Sequence, residues 1–394
     1  METGDPGAAR SLGVPTRAYS WYNSLLPVIP TEIWRSDVTR VACWTPVRRA
    51  RVLSTFLFTA PAVLFGCSGG ESSEAAESSP PESEAVAGEA AGPLLLVVNK
   101  SSNTLSVVDP STGAELTTLS TGFAPHEVAV SGDGRFAYVT DYGTGGQAGN
   151  TVTVIDLEGM EASGTISLAP HTRPHGIAVA EDGTLWVTTE GSAHVLQLDP
   201  VTGEILQAVE TDQRVTHMVA VAESAGRVVT ANIGSGTATI VDPDAGSVVS
   251  HVETGEGAEG LAVHPDGDRA FVTNRSAGTL VELDLASGLV LRSLEVGAFP
   301  IRVKVRPDGE ELLVSNANGN EVVAVDLESW AVTRRLSVGA MPVGILIKPD
   351  NRTAYVANTQ DDKITVIDLE TWTVSGEIVA GDEPDGMAWV EGVG

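Results

Sequence analysis

The chain has 394 residues, which is long enough for one large domain with appended segments. Its formal net charge of −29 excludes nucleic acid and anionic membrane surfaces as partners, because both are bound through basic surfaces. Cysteine occurs only at Cys43 and Cys67, so disulfide bonds cannot hold the body of the protein together.

An export signal is predicted in residues 47–67. Arg48, Arg49 and Arg51 precede the apolar run VLSTFLFTAPAVLFG, which is too short and too interrupted by proline for a transmembrane helix. The run ends at Cys67 in the sequence LFGC, which resembles a bacterial lipobox. We therefore expect lipidation of Cys67 and a membrane-anchored protein in the periplasm or on the cell surface. A plain signal peptide and an uncleaved anchor are the alternatives.

Two segments flank this signal. Residues 1–46 precede it, and we interpret them as an upstream extension from a misassigned coding start, with Val47 as the candidate true start. Residues 68–92 are rich in Glu, Ser, Ala, Gly and Pro and contain no basic residue. Such a segment cannot bury a core, so it is predicted to be a flexible acidic tether.

From residue 93 to residue 394 the chain repeats with a period of 42 to 47 residues. Each unit has a strand that ends in aspartate; these residues are Asp109, Asp156, Asp199, Asp242, Asp284, Asp326 and Asp368. An earlier strand of each unit ends in asparagine or a substitute; these residues are Asn99, Asp141, Thr189, Asn232, Asn274, Asn316 and Asn358. A period of this length, made of strands and turns, is typical of a β-propeller with four antiparallel strands per blade.

The units add up to seven blades. The first unit lacks its innermost strand, and the segment DGMAWV (385–390) is an innermost strand with no blade after it. Pairing of this C-terminal strand into the first blade would close the ring and leave no open sheet edge between the two ends. The sequence thus predicts an all-β, seven-bladed, closed propeller.

The segments FVTN, YVTD and YVAN, together with the turns HPDG and RPDG, resemble the YVTN-repeat family of bacterial β-propellers. The resemblance covers roughly residues 94–390. It implies the propeller fold and an exported or cell-surface protein, and it implies little about activity, because propellers carry many functions.

One position at the start of each innermost strand is predicted to border the central channel. Around the ring, starting from the strand that completes the first blade, it holds Asp385, His126, His175, His217, Glu259, Ile301 and Val343. Three histidines and two carboxylates therefore share one arc, and such a set can bind zinc, copper or iron. The alternatives are a polar ligand site without metal and histidines that only satisfy the backbone at a turn.

Two further features face the channel. Arg302 and Lys304 lie where most blades have Gly or Ala, so they could bind a carboxylate or phosphate, or pair with Glu127, Glu259 or Asp385. The insertion YGTGGQAGN (142–150) is either a lid over the channel mouth or a surface loop.

The sequence favours a monomeric, lipid-anchored propeller that binds a small ligand or protein through its channel face. The alternative is a metal-dependent hydrolase or oxidoreductase with His126, His175 and His217 as ligands and Glu259 or Asp385 as a further ligand or general base.

Overall fold

The computed structural model describes residues 92–392. The predicted upstream extension, the export signal with Cys67 and nearly all of the predicted tether lie outside these residues. No helix within residues 92–392 is long and apolar enough to cross a membrane.

The described residues form seven four-stranded antiparallel sheets, as the repeat predicts. Blade 1 consists of β1 (Leu94–Asn99), β2 (Thr104–Asp109), β3 (Ala114–Ser120) and β28 (Pro384–Val390). Blade 2 consists of β4 (Pro125–Val130), β5 (Phe136–Gly143), β6 (Ala148–Asp156) and β7 (Glu161–Ser167). Blade 3 consists of β8 (Pro174–Val179), β9 (Leu185–Thr189), β10 (His194–Leu198) and β11 (Ile205–Glu210).

The remaining blades repeat this pattern. Blade 4 consists of β12 (Thr216–Ala222), β13 (Arg227–Asn232), β14 (Thr237–Asp242) and β15 (Ser247–Glu253). Blade 5 consists of β16 (Ala258–Val263), β17 (Arg269–Asn274), β18 (Thr279–Asp284) and β19 (Leu289–Glu295). Blade 6 consists of β20 (Pro300–Val305), β21 (Glu311–Asn316), β22 (Glu321–Asp326) and β23 (Ala331–Ser337), with a 3-10 turn at Ala317–Gly319. Blade 7 consists of β24 (Pro342–Ile347), β25 (Thr353–Asn358), β26 (Lys363–Asp368) and β27 (Thr373–Val379).

The ring closes through blade 1. Strand β28 pairs antiparallel with β1, placing Trp389 opposite Leu95 and Ala388 opposite Leu96. The innermost strands contact one another in the order β28, β4, β8, β12, β16, β20, β24 and back to β28. The predicted closure by the C-terminal strand is therefore confirmed.

The hydrophobic core consists of layers between adjacent blades. Blades 1 and 2, for example, share a cluster that includes Leu96 and Leu105 from one blade and Val139 and Ile155 from the other. The other six blade interfaces each have a comparable cluster. Burying one Leu or Val side chain contributes about 1.5–3 kcal/mol, so these layers can hold the ring together without disulfides.

The repeated polar residues have structural roles. The aspartates that end the third strands accept hydrogen bonds from turn backbone; Asp109 Oδ1, for instance, accepts from Ser111 N at 2.8 Å. The residues that end the second strands form what we call the asparagine ring: Asn99, Asp141, Thr189, Asn232, Asn274, Asn316 and Asn358. The Asn316 amide, for instance, donates to the Val296 carbonyl and to Glu321, each at 3.0 Å, and so ties a preceding loop to the third strand.

Candidate metal centre at the channel mouth

The predicted channel position forms a second ring, which we call the mouth ring: Asp385, His126, His175, His217, Glu259, Ile301 and Val343. Each member follows the first residue of an innermost strand, where the pairing register shifts by one residue. Such bulges redirect side chains, and here they occur at every blade. The backbone is also held in place: the carbonyls of His175 and His217 accept hydrogen bonds from Thr140 and Thr188 of the preceding blades.

The structure brings the three histidines of the mouth ring together. The His126 and His175 ring centroids are 4.6 Å apart, and those of His175 and His217 are 3.6 Å apart. His217 Nε2 lies 3.7 Å from Glu259 Oε1. His175, His217 and Glu259 are each more than 90% buried, so these groups face one another rather than bulk solvent.

Two residues outside the mouth ring complete the cluster, and the analysis of the sequence missed both. Glu190 follows β9 directly, and its Oε1 lies 2.6 Å from His217 Nδ1. Tyr142 lies near the end of β5, and its hydroxyl donates to Glu190 Oε2 at 2.5 Å. The Tyr142 ring lies 4.6 Å from the His126 ring. Glu190 and Tyr142 lie at turns between second and third strands, which emerge on the same face as the mouth ring.

Burial keeps the imidazoles of His126 and His175 neutral. Burial, together with the charge of Lys100, lowers the pKa of His126 to about 4. Burial also lowers the pKa of His175 well below its usual value, and its neighbours His217 and His126 lower it further. Since a carbonyl can only accept, His126 Nδ1 donates to the Ala124 carbonyl at 2.8 Å, which leaves Nε2 with a free lone pair.

The carboxylate of the cluster stays ionised. Burial alone would raise the pKa of Glu190, but hydrogen bonds from His217 and Tyr142 and the charge of His217 hold it below its usual value. His175 Nδ1 is buried and has no hydrogen-bond partner in the described structure. Neutral imidazole and ionised carboxylate groups are donors that zinc and similar transition metals prefer.

This donor set fits a metal ion. One potential ligand atom from each of His175, Glu190 and His217 lies within 4.8 Å of the other two. The carboxylates predicted as ligands also form ion pairs: Glu259 pairs with Arg275 at 2.8 Å, and Asp385 pairs with Lys100 at 3.3 Å. Glu190 is thus a further candidate ligand, beside Glu259 and Asp385, whose roles as ligand or general base stay predictions.

The position after the mouth ring closes the channel. Gly386, Gly176, Gly260 and Gly344 occupy it in alternate blades, and the nearest backbone atoms of the next blade leave no room for a Cβ there. The other three blades contribute Glu127, Met218 and Arg302. The Arg302 guanidinium donates to Glu127 and contacts Met218 Sδ at 3.0 Å, and it lies 3.6 Å from Asp385. These three side chains form a floor below the mouth ring.

The two predicted ligand-binding cations thus lie in this floor region. Arg302 is 4% exposed and held by the Glu127 carboxylate, the ion pairing that the sequence left open as an alternative. Lys304 lies two residues further along β20. Burial and the charge of Arg302 lower the pKa of Lys304, and the nearby Glu127 carboxylate opposes that shift.

The predicted insertion is a structured hairpin. Strands β5 and β6 extend into it, with Gly143 paired to Ala148, and only its tip is fully exposed. It contributes Tyr142 to the cluster, and residues 145–148 face solvent.

One family model matches part of the propeller. A family model described as phytase-like, "Esterase-like activity of phytase", matches residues 127–281, which include His175, Glu190 and His217. No curated protein matches the sequence significantly. The matching family model is not a YVTN-repeat model, so that resemblance stays a prediction.

Several solved structures share the fold. Hydrazine synthase of Kuenenia stuttgartiensis is 19% identical with a TM-score of 0.62, over 74% of this chain and 99% of that one. The periplasmic gluconolactonase PpgL of Pseudomonas aeruginosa is 20% identical with a TM-score of 0.63, over 76% and 99% of the two chains. The dihydro-heme d1 dehydrogenase NirN is 14% identical with a TM-score of 0.57, over 75% and 74%. At these identities the likeness establishes the seven-bladed propeller fold, and the chemistry must be argued from the site.

Proposed function

We propose that this protein is a metal-dependent hydrolase of carboxylic esters, lactones included, that acts at the mouth of the propeller channel. The observation that carries the proposal is the buried cluster of His175, Glu190 and His217. The phytase-like esterase model that spans these residues supports an ester substrate. The gluconolactonase among the similar structures acts, by its name, on a lactone, which is a cyclic ester.

The residues of the cluster have distinct roles in this proposal. His175 and His217 would bind the metal through ring nitrogens, with Glu190 within reach of the same ion. The Glu190–His217 hydrogen bond is the arrangement by which a carboxylate orients a metal-binding histidine. When bound, the metal would polarise the ester carbonyl and lower the pKa of a water molecule. Tyr142 fixes Glu190 through its hydroxyl, whose pKa is raised by burial and by Glu190, so it stays a donor.

The floor supports the same chemistry. Because Glu127, Met218 and Arg302 meet below the mouth ring, they would close the site on that side. A substrate would enter from the side of the histidines, and water would be excluded from below. Water exclusion strengthens the electrostatic contacts within such a site.

The test combines metal analysis with hydrolysis assays. Protein purified without chelator should contain about one transition metal ion per chain and hydrolyse 4-nitrophenyl acetate or δ-valerolactone. The variant His175→Ala should lose the metal and the activity. The matched control His251→Ala removes an exposed histidine on β15 and should keep both. Metal retained without hydrolysis of any ester would overturn the hydrolase and favour a binding module; no metal, even after zinc addition, would overturn the metal centre.

We also propose that the protein is exported and anchored through lipidated Cys67. The predicted signal in residues 47–67 supports this, as does the word periplasmic in the name of one similar structure. Wild-type protein expressed in a bacterial host should incorporate labelled palmitate and fractionate with membranes. Cys67→Ser should abolish both; unchanged membrane association in that variant would contradict a lipid anchor.

A further inference from the structure

An arginine beside the metal cluster has no role in the proposed chemistry so far. Arg173 lies two residues before His175, in a left-handed backbone conformation with φ of 57°. The corresponding residues of other blades, such as Ala124, Val215 and Phe299, also have positive φ, so the fold imposes this conformation. This conformation costs a non-glycine residue about 1 kcal/mol, so the backbone does not favour an arginine at this position.

Backbone contacts hold Arg173 in a defined place. Its N–H donates to the Gly149 carbonyl in the β5–β6 hairpin at 2.8 Å. Its carbonyl accepts from the N–H of Glu190 at 2.9 Å. Arg173 therefore joins the hairpin to the backbone of Glu190, and a group bound by its side chain would lie at the channel mouth.

The guanidinium of Arg173 has no carboxylate partner within residues 92–392. It donates through Nη2 to the Thr144 carbonyl at 3.2 Å, and its Cζ lies 5.0 Å from the centre of the Tyr142 ring. Other cations of the mouth, Lys100 and Arg302 among them, pair with carboxylates. A guanidinium has five N–H donors; the Thr144 carbonyl and the Tyr142 side chain engage some of those on Arg173, and others are left for a ligand.

We infer that Arg173 binds an oxyanion of the substrate, so that the preferred substrates are esters that carry a carboxylate or phosphate group near the scissile bond. This inference rests on the proposed function and narrows its substrate class. The planar fork of arginine fits both oxyanions in a bidentate manner. The Arg173 fork lies over the Tyr142 ring, which is 5.9 Å from the His175 ring, so an oxyanion bound to the fork would lie near the cluster.

The kinetic test compares two esters with the same leaving group. Mono-4-nitrophenyl succinate carries a free carboxylate, and 4-nitrophenyl acetate does not. In Arg173→Gln the ratio of kcat/KM for succinate over acetate should fall about tenfold or more, because a charge-assisted hydrogen bond is lost. Arg173→Lys should restore part of the ratio. Arg214→Gln is the matched control, since Arg214 is an exposed arginine in the adjacent loop of the same face and contacts the Gly234 carbonyl; it should leave the ratio unchanged.

A binding measurement separates this inference from the proposed function. Calorimetry with metal-free wild-type protein should detect binding of succinate or inorganic phosphate, and the stronger of the two identifies the oxyanion. Arg173→Gln should weaken that binding about tenfold, and Arg214→Gln should not. Oxyanion binding through Arg173 without ester hydrolysis would overturn the hydrolase alone. Equal losses on both esters, or oxyanion binding unaffected by Arg173→Gln, would overturn the inference and leave Arg173 as a brace for the hairpin.

Discussion

The asparagine ring and the mouth ring each take one equivalent position from all seven repeats. The two rings differ in how similar the residue types are from blade to blade. In the asparagine ring, five of seven members are asparagine, and the others are Asp141 and Thr189. In the mouth ring the seven members include histidines, carboxylates and aliphatic residues. The asparagine ring repeats one structural task, whereas the mouth ring uses one backbone position for different chemistry in different blades.

The physical environment of the asparagine ring explains why most of its members are the same residue type. A short polar side chain can bond the third strand of a blade to the preceding loop. The members that do so are Asn99, Asp141, Asn274 and Asn316. The loop glycine must also approach closely: a Cβ at Gly297 would lie 2.2 Å from the Asn316 amide nitrogen. Gly122, Gly255, Gly339 and Gly381 lie similarly close to ring members of their blades, so nearly the same residue recurs beside them.

The mouth ring divides into two arcs. Blades 1 to 5 contribute Asp385, the three histidines and Glu259, which are tied together by polar contacts. Blades 6 and 7 contribute Ile301 and Val343, which pack with Ala317 against Phe299 and Met341. The mouth therefore has a polar side that can bind a metal and an apolar side suited to the hydrocarbon part of a substrate.

The largest effect, a loss of metal and activity, is expected for a substitution in the polar arc of the mouth ring. His217→Ala removes a proposed metal ligand, so metal affinity and hydrolytic activity should each fall at least about 100-fold. The free energy of unfolding should fall as well, because the buried Glu190 carboxylate loses its donor. Val343→Ala, in the apolar arc of the same ring, should keep the metal and lower the free energy of unfolding by about 2 kcal/mol. Metal analysis and thermal unfolding of both variants check this; retention of the metal in His217→Ala, or its loss in Val343→Ala, would contradict the division into two arcs.

This division also shows what could be predicted from the sequence. The fold and the closure followed from residues that recur at a fixed period, because each blade solves the same packing problem. The neighbourhood of the three histidines followed from the same register. Glu190 and Tyr142 could not be found in this way, because they lie outside the recurring position and reach the histidines of neighbouring blades across blade interfaces.

Only part of the floor could be predicted from the sequence. Arg302 could be seen to face the channel because most blades have glycine at its position. Its partner could not be chosen, since Glu127, Glu259 and Asp385 all lie at similar heights in the repeat. The partner depends on distances across the channel, and the length of the repeat contains no information about these distances. In the structure Arg302 pairs with Glu127 and lies close to Asp385.

An intermediate effect is expected in the asparagine ring. Asn316 is fully buried, and Asn316→Ala would leave the Val296 carbonyl without its donor. The free energy of unfolding should fall by about 1–3 kcal/mol, the cost of an unsatisfied buried polar group. Metal content and kcat/KM should stay at wild-type values. Loss of metal in this variant would contradict the separation between the two rings.

The smallest effect is a gain of stability at Asp141, one of the two members of the asparagine ring that are not asparagine. Asp141 is 2% exposed and accepts hydrogen bonds from Thr151, Thr153 and the N–H of Gly122. An asparagine can make the same set, as Asn99 does with Thr104, Ser106 and the N–H of Gly381. Asp141→Asn removes a buried negative charge, so chemical unfolding at pH 7 should show stabilisation by about 1 kcal/mol.

The pH dependence of this gain follows from the pKa of Asp141, which burial raises despite the hydrogen bonds from the two threonines and Gly122. The folded state therefore binds the Asp141 proton more tightly than the unfolded state does. As the pH rises from the unfolded pKa of about 3.9 through the raised folded pKa, the wild type loses stability that Asp141→Asn retains. The difference in unfolding free energy between the two proteins should thus be larger at pH 7 than at pH 4. A difference that shrinks as the pH rises would mean that the carboxylate is better satisfied than an amide at this position, and that the blades differ here by function as well.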